Sequence, residues 1–389
     1  MKKTILIIVP LAVCAIGAIG FCGNKETGRK SPFTIKKIEL KQKPSSAETA
    51  DLNGDKIPDM VIANAEDSSV TILLGIGGGR FTEGKGSPFP AGSTPNDIAI
   101  ADFNKDGKPD LSFANHTKKY LTVLLGDGKG GFSPMPGSPF HVDVSPHTHG
   151  IAVADFNKDG NLDLLTDSWG NNQLAILFGN GHGGFSNVVK YINVGKHPYQ
   201  RARIGDFNRD GNPDIVTTNL DGNNATILLG DGKGSFREAP GSPVSCGDSP
   251  FGVAIGDVNG DHNPDLAIVN SPTITASNTG RDGLTILLGD GKGGFTPMPG
   301  SPFKTGTSPS RLAIGDINGD GIADIVVTNY KSRSVTVFMM GGNTVAASYT
   351  APVGDKPDGA VIADMSGSGK GDIVVTNSGS NYINIISMK

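Results

Sequence analysis

The sequence predicts an all-β protein: a seven-bladed β-propeller of four-stranded blades, with the ring closed by an N-terminal strand that completes the last blade. Three observations lead to this prediction. A nine-residue Asp-rich pattern occurs seven times, successive copies are 51, 53, 51, 51, 59 and 48 residues apart, and 56 Gly and 25 Pro occur among 389 residues. A period near 50 residues fits one four-stranded blade, and the Gly and Pro content favours short strands joined by tight turns.

The first 22 residues have the features of a targeting segment. Two lysines precede an apolar run from Ile5 to Cys22, which is the order found in export signals. Three alternatives stay open: a signal peptide cleaved before Phe21, a lipoprotein signal that lipidates Cys22, or an uncleaved membrane anchor. Each of them exports the rest of the chain, so we expect a secreted, periplasmic or cell-surface protein, which is lipid-anchored under the second alternative.

Each repeat contains four short apolar runs that predict four strands. In the second repeat these are Asp97–Ala101, Asp110–Ala114, Tyr120–Leu125 and a fourth run that passes through Phe132 to Phe140. The runs are rich in Val, Ile, Leu and Phe and are bounded by Gly, Asn and Pro. Several second runs are apolar at consecutive positions, as expected for strands whose two faces are both buried between neighbouring blades.

The two ends of the chain supply complementary parts of one blade. The last repeat has only three runs and finishes with Tyr382–Ser387, whereas Phe33–Leu40 aligns with the fourth run of the other repeats. We therefore expect Phe33–Leu40 to form the outer strand of blade seven, which removes the exposed sheet edges of an open array. The resulting domain organisation is a targeting segment (1–22), a short linker (23–31) and a single propeller (32–389).

The acidic pattern has the donor set of a calcium site. Positions one, three, five and nine are Asp, Asn, Asp and Asp in six of the seven copies, and the backbone carbonyl of position seven can add another oxygen. Ca²⁺ takes six to eight oxygen ligands at about 2.3–2.6 Å. Six calcium sites are predicted, and occupancy of the seventh, degenerate loop is left open. The predicted ligands are Asp51, Asn53, Asp55, Ile57, Asp59; Asp102, Asn104, Asp106, Lys108, Asp110; Asp155, Asn157, Asp159, Asn161, Asp163; Asp206, Asn208, Asp210, Asn212, Asp214; Asp257, Asn259, Asp261, Asn263, Asp265; Asp316, Asn318, Asp320, Ile322, Asp324; and Asp364, Ser366, Ser368, Asp372.

Two other kinds of loop have a similar composition. An EF-hand is excluded because its loop needs a Glu at position twelve and flanking helices. Position twelve here lies in a strand-like run in every copy: Ile62, Phe113, Thr166, Thr217, Ile268, Val327 and Val375. The second interpretation is a set of metal-free Asp/Asn turns. Calcium is preferred because three carboxylates within nine residues repel one another unless a cation neutralises them.

With these motifs the chain resembles the FG-GAP/VCBS repeat proteins, the group that includes the integrin α-subunit propeller. The resemblance rests on the seven DxNxDGxxD-like loops and on the LLGDGKGGF-type turns at Leu124, Leu228 and Leu287, and it covers Phe33 to Lys389. It implies that the acidic loops join the first and second strands on one face of the disc and have a structural role. It specifies a fold and leaves the function open.

The residues that differ between blades direct attention to the face opposite the acidic loops, here called the upper face. His, Trp, Tyr and Arg residues concentrate there in blades two to four. A His–Tyr–Arg group could abstract the proton α to a uronate carboxylate, as polysaccharide lyases do. Trp169 could stack on a sugar ring, and His147 with His149 could hold a transition metal, although the pair lacks a third ligand. The candidate catalytic residues are His147, His149, Tyr199 and Arg201, and the candidate ligand-binding residues are His116, Trp169 and Arg203.

Charge narrows the classes of partner. The formal net charge is −4, and seven bound Ca²⁺ would bring it to about +10, which suits an anionic partner such as an acidic glycan. No basic stripe of the kind found in nucleic-acid-binding proteins is present.

We expect a monomer that contacts membrane only through an N-terminal anchor. The expected function is that of a module that holds calcium and serves in binding or adhesion to a glycan or an extracellular protein. The alternative is a lyase-like enzyme, and the sequence leaves catalysis undecided while favouring a non-enzyme.

Overall fold

Seven antiparallel sheets follow one another along the chain, and they confirm the predicted all-β, seven-bladed propeller. The computed structural model describes residues 31–182, 184–199, 202–274 and 280–389. The predicted targeting segment (1–22) and all but the last residue of the predicted linker (23–31) lie outside the described residues. Within the described ranges the helical elements are two 3₁₀ turns, Trp169–Asn171 and Leu220–Gly222, and no helix there is long and apolar enough to cross a bilayer.

Each blade is built in the same strand order from the central channel outwards. The inner strands, which lead into the acidic loops, are Ser46–Ala50, Pro95–Ala101, Ile151–Ala154, Arg203–Gly205, Pro250–Gly256, Pro309–Gly315 and Pro357–Ala363. The second strands, which leave those loops, are Asp59–Asn64, Asp110–Asn115, Asp163–Ser168, Asp214–Asn219, Asp265–Asn270, Asp324–Asn329 and Asp372–Asn377. The third strands are Ser69–Gly75, Tyr120–Gly126, Gln173–Gly179, Asn224–Gly230, Gly283–Gly289, Ser334–Met340 and Tyr382–Met388.

The outer strands vary more than the other three. Blades three, six and seven have one continuous outer strand: Phe185–Asn193, Val345–Pro352 and Phe33–Glu39. Blades one, two and four have two short segments each: Phe81–Glu83 with Phe89–Pro90, Phe132–Pro134 with Phe140–His141, and Phe236–Glu238 with Val244–Ser245. Blade five has Phe295–Pro297. The fourth run predicted in blade two is therefore two short strands, both paired with the third strand.

Blade seven closes the ring as predicted. Phe33–Glu39 pairs antiparallel with Tyr382–Met388 over seven residue pairs. Seven apolar cores separate the blades, one for each pair of neighbours. The closing core brings Ala47, Met60 and Ile62 of blade one against Val361 and Val374 of blade seven. Blades seven and one, where the ring closes, thus pack against each other through an apolar core as the other neighbouring blades do.

Burial on both faces accounts for the apolar second strands. All six residues of every second strand are buried, because each blade is covered on both sides by a neighbour. The residue at position two of each acidic loop is also apolar and at most 4% exposed. Phe207 is an example: it enters the core between blades four and five and meets Phe295 edge to face at 5.5 Å. The acidic loops are therefore anchored in the cores from which they emerge.

Position six of the acidic loops requires left-handed backbone. Its φ lies between 66° and 84° in all seven loops, a region that glycine enters without steric cost. Five copies have Gly there, while Lys56 and His262 adopt φ of 66° without that freedom. The backbone at position six is thus left-handed in every loop, including the two that have no glycine there.

Candidate functional site

The candidate site lies at the upper face, where blade three departs from the others. Loops that precede inner strands and loops that follow second strands meet at this face, because both lie at the strand ends opposite the acidic loops. In six blades the last residue of the second strand is a buried Asn that hydrogen-bonds to a Thr or Asn of the third strand, as in the 2.9 Å bond from Asn64 Nδ2 to Thr71 Oγ1. Blade three has Ser168 and Ala175 at these two positions and so lacks this hydrogen bond. Its upper loop can therefore differ from those of the other blades.

Three histidines from two blades converge here. His116 follows the second strand of blade two, and His147 and His149 precede the inner strand of blade three. Their ring centroids are 4.3–4.8 Å apart, and the Nε2 atoms of His147 and His149 are 3.1 Å apart. One ring nitrogen from each of the three lies within 4.8 Å of the others. The prediction that paired His147 with His149 therefore missed a third member of the set, His116.

His149 is buried against a carboxylate. Its side chain is 3% exposed, and its Nδ1 lies 3.2 Å from Oδ2 of the equally buried Asp167. The two atoms are close enough for a hydrogen bond but poorly aligned for one, and each is otherwise without a hydrogen-bond partner. Asp167 Oδ1 accepts a 2.7 Å hydrogen bond from the Gly150 backbone N–H. In blade three Ser168 occupies the strand-end position that Asn has in the other blades, and Asp167, one residue earlier, points to His149.

Partial burial keeps His116 and His147, the two partly exposed histidines of this set, neutral. It lowers the pKa of His116 to about 4, with the positive charge of a protonated His149 or His147 adding to the effect. Burial likewise lowers the pKa of His147, again with His149 contributing. Imidazoles with lowered pKa values keep a lone pair available near neutral pH. His116 and His147 can therefore act as hydrogen-bond acceptors or metal ligands there.

Aromatic rings extend the cluster towards blade four. Tyr199 lies 4.8 Å from His149 and 6.3 Å from Trp169, centroid to centroid. Trp169 is stacked on His197 at 4.6 Å with an interplanar angle of 28°, and His197 Nδ1 is 2.5 Å from Asp221 Oδ2. Burial raises the pKa of the Tyr199 phenol, and the Asp167 carboxylate raises it further. We call His116, His147, His149, Trp169, His197 and Tyr199 together the upper-face cluster.

The structure describes one of the two predicted arginines, Arg203. Arg201 lies outside the described residues. Arg203 was predicted on or near the upper face, and this placement is wrong. It is the first residue of the short inner strand Arg203–Gly205 and lines the central channel, in a cavity of about 300 Å³ that Glu48 also lines. In blades two, five, six and seven the inner strand begins at a Pro, whereas in blade four it begins only at Arg203, well after Pro198. Arg203 therefore lies deeper in the channel than its place in the sequence suggested.

An arginine from across the channel reaches the cluster instead. Arg311, on the inner strand of blade six, is 6% exposed. Its guanidinium lies 3.5 Å from Asn96 O and Oδ1 of blade two, and the Asn96 amide donates a 3.1 Å hydrogen bond to His149 O. Asp97 and Asp358 lie 4.0 and 3.9 Å from Arg311. None of these four residues was predicted.

A shared register position could have pointed to several of these residues. A Pro stands before or at the start of the inner strand in every blade, and the residue after it is Asn96, His147, Tyr199, Phe251 or Asp358 in five of the blades. In blades two, five, six and seven the ladder between inner and second strands shifts register at this point. Such bulges redirect side chains, and in blade two the redirected residue is Asn96, whose amide donates to His149 O.

The acidic loops collect oxygens at the opposite face. In loop four, Asp206 accepts hydrogen bonds from the backbone N–H groups of Asp210 and Gly211, and Asp210 accepts one from Asn212. The other predicted loops repeat most of this pattern. These are oxygen donors on a tight turn, which is the donor chemistry that suits Ca²⁺, and the residues present fit that ion.

Position nine has an additional role that the repeat pattern did not reveal. Asp214 is fully buried, and its two oxygens accept 2.8 Å hydrogen bonds from the backbone N–H groups of Phe207 and Gly230. Burial raises its pKa to about 6, with Asp210 and Asp206 contributing. This carboxylate is thus turned to the backbone. Within the described ranges, the one set of three His, Cys, Asp or Glu side chains whose ligand atoms lie together is the histidine set. A cation in an acidic loop would rely on Asn and carbonyl oxygens as well.

The seventh loop differs in detail from the other six. Asp372 accepts its hydrogen bond from Ser366 at position three, whereas the other loops donate from position two. Ser366 and Ser368 lie 3.1 Å apart, oxygen to oxygen. Two hydroxyls replace an amide oxygen and a carboxylate, so this loop offers less negative charge to a cation.

Comparisons with known proteins agree with the fold. The sequence profile described as FG-GAP-like repeat matches residues 51–113, 106–166, 206–268 and 274–327, well over half of the chain. Cartilage acidic protein 1 of Xenopus tropicalis is 27% identical over 157 residues, which is 39% of this chain and 22% of that protein. The chain thus spans far less than two thirds of that relative's length.

Solved structures with low sequence identity share the propeller. Virginiamycin B lyase from Staphylococcus aureus is 13% identical, with 92% of this chain and all of that chain covered and a TM-score of 0.56. A lectin from Agrocybe aegerita that recognises non-reducing terminal N-acetylglucosamine is 19% identical, with 90% and 86% covered and a TM-score of 0.53. At these identities the likeness concerns the fold alone.

Proposed function

The chain belongs to the FG-GAP-like repeat family, and from this premise we propose that it is an extracytoplasmic, calcium-binding propeller whose upper face binds a glycan or a protein ligand. In this proposal the acidic loops hold calcium and stabilise the disc, and the upper-face cluster contacts the ligand. The two roles lie at opposite ends of the strands, so the loops can be conserved in form while the upper face varies.

The upper-face cluster is the observation that carries the proposal. Trp169, Tyr199 and His197 present partly exposed aromatic surface next to polar ring atoms. Such amphipathic rings suit sugars and protein side chains, because they supply contact area and orienting hydrogen bonds together. The Trp169 Nε1 atom is shielded from solvent without a hydrogen-bond partner. A ligand that accepted a hydrogen bond from it would remove that cost.

A location outside the cytoplasm is supported by two features. The predicted targeting segment favours export, and the similarity to cartilage acidic protein 1 covers two fifths of the chain. Cys246 is the only cysteine within the described residues and is a buried free thiol. The fold therefore needs no disulfide there, and calcium takes the stabilising role that disulfides have in many exported domains.

Loss of the tryptophan should weaken ligand binding. We expect Trp169→Ala to reduce affinity about tenfold or more for whichever glycan or protein the wild type retains on an array, because central aromatic residues contribute strongly to binding. Tyr191→Ala is the matched control: this aromatic residue is 38% exposed on the outer strand of the same blade. Equal affinities of the Trp169→Ala variant and the wild type would place the ligand elsewhere.

One observation favours a second candidate, a polysaccharide lyase-like enzyme. His149 is held against Asp167 with Tyr199 beside it, so an oriented base and a phenol with a raised pKa stand next to each other. In a lyase the base would take the proton α to the uronate carboxylate, and an acid would protonate the departing sugar oxygen. The predicted Arg201 would neutralise the enolate.

Turnover separates the two candidates. We expect incubation with a panel of polyuronates to give no unsaturated product by ultraviolet absorbance. Product formation that is lost in the His149→Ala variant, and kept in the His141→Ala variant, would contradict the binding module and support the lyase. Retention of a glycan without turnover would exclude the lyase for that glycan.

A further inference from the structure

We infer that His116, His147 and His149 form a binding site for one divalent transition-metal ion, for which Zn²⁺ is the expected ion, on the upper face and distinct from the acidic calcium loops. The inference goes beyond the proposed ligand-binding role and does not depend on it, because a metal could bind here whether or not a glycan or protein also binds.

The spacing of the imidazoles is close to that of a metal site. Two imidazole nitrogens bound to one tetrahedral Zn²⁺ at 2.0–2.1 Å are about 3.3–3.4 Å apart. The Nε2 atoms of His147 and His149 are already 3.1 Å apart, and one ring nitrogen from each of the three histidines lies within 4.8 Å of the other two. His116 therefore needs to move inwards by only about 1–2 Å to complete the set. Both His116 and His147 are partly exposed loop residues, so such a movement disturbs no core.

A buried carboxylate provides the support that metal-bound histidines usually have. A histidine ligand commonly donates its second ring N–H to a carboxylate, which fixes the ring and its tautomer. Asp167 Oδ2 lies 3.2 Å from His149 Nδ1, and both atoms are buried without another hydrogen-bond partner. A proton on Nδ1 leaves the Nε2 lone pair facing His147. A small rotation of His149 upon metal binding would also improve its alignment with Asp167.

The surrounding charges are compatible with a divalent cation. Asp167, Asp97 and Asp358 are three carboxylates near this end of the channel, and Arg311 is the cation among them. The excess of carboxylates offsets part of the positive charge that the ion brings.

The ligand type selects the metal. Imidazole nitrogen suits Zn²⁺ and its neighbours in the first transition series, whereas Ca²⁺ takes oxygen ligands. Three protein ligands leave a fourth tetrahedral position for water or for an atom of a bound molecule, as in catalytic rather than structural zinc sites. Tyr199 and Trp169 line the approach from blade four. A partner with a carboxylate or hydroxyl could thus reach the metal while packing on these rings.

A Co²⁺ titration tests the site independently of ligand binding. The full chain, saturated with calcium and freed of other metals, is titrated with Co²⁺ while its visible absorption is recorded. We expect one equivalent with the intense absorption of a tetrahedral nitrogen site, which added Zn²⁺ displaces; Co²⁺ in an oxygen-ligated calcium loop absorbs weakly. His116→Ala and His147→Ala should each reduce Co²⁺ affinity by about 100-fold or more, and Asp167→Asn by about 10–100-fold.

The controls separate loss of a ligand from loss of the fold. His141→Ala removes an exposed histidine at the edge of blade two and should leave the spectrum and the affinity unchanged. A melting curve recorded in calcium without transition metal shows whether each variant is folded. His116 and His147 lie on separate loops, so if one variant does not fold, the other still tests the site. The inference is wrong if wild type gives no tetrahedral spectrum, or if folded His116→Ala and His147→Ala both bind Co²⁺ as wild type does.

Discussion

Removal of calcium should lower the melting temperature of this protein more than any single substitution. A ligand that binds only the folded state stabilises it by RT ln(1 + [L]/Kd), which is about 2.7 kcal/mol for each site at a concentration of 100 Kd. Six such loops act together in one ring. Without a cation, the buried carboxylates at position nine lie near two others, and burial followed by these neighbours raises the pKa of Asp163, Asp214, Asp265 and Asp324 to about 6.

Calorimetry in excess chelator checks this expectation. The melting temperature should fall on chelation and recover when Ca²⁺, but not Zn²⁺, is restored, which separates the loops from the histidine site. Asp206→Asn in the fourth loop should lower the melting temperature in calcium, whereas Asp364→Asn in the seventh should have a smaller effect because that loop has less charge to begin with. An unchanged melting curve after elemental analysis has confirmed metal removal would contradict the calcium assignment.

Weakening the closing strand should produce the second largest effect. Phe33 is 4% exposed, packs edge to face on Tyr349 at 5.7 Å and belongs to the core between blades six and seven. Phe33→Ala should reduce the free energy of unfolding by about 3–5 kcal/mol, because the core can close only part of the cavity. Since the closing strand joins the two ends of the ring, we expect the loss to appear first at blade seven.

The same strand offers a matched control. Ile35 is 41% exposed two residues away, and Ile35→Ala should change the free energy of unfolding by no more than about 0.5 kcal/mol. Urea denaturation measures both variants, and hydrogen exchange at Tyr382–Met388, the strand that pairs with the closing strand, locates the change. Equal effects of the two substitutions would mean that side-chain burial at Phe33 does not hold the ring closed.

The fold could be predicted from the sequence because its causes are local and repeated. Seven acidic loops, a period near 50 residues and short apolar runs each specify a turn, a blade or a strand without reference to distant residues. Even closure was predictable, since the last repeat lacks one strand and Phe33–Leu40 supplies one. The role of the position-nine carboxylate was harder to predict from the sequence. The hydrogen bond that Asp214 accepts from Gly230, for example, depends on where the third strand of the blade lies.

The site was predictable only in outline. Uneven placement of His, Trp and Tyr pointed to the upper face of blades two to four, and His147, His149 and Tyr199 do lie together there. Arg203 was predicted near this face but belongs to an inner strand. The contact of Asp167 with His149 was not predicted, because one residue along a strand changes both the depth and the direction of a side chain.

By itself, then, the sequence determined the ring, its seven loops and the strand that closes it, because each repeat encodes the same local turns and buried runs. Only the tertiary structure decided which side chains meet at the upper face. His116 and His149 come from neighbouring blades, and Arg311 reaches Asn96 across 215 residues of sequence. Such contacts depend on the diameter of the closed ring and on bulges at the strand ends, and neither property is written in any one repeat.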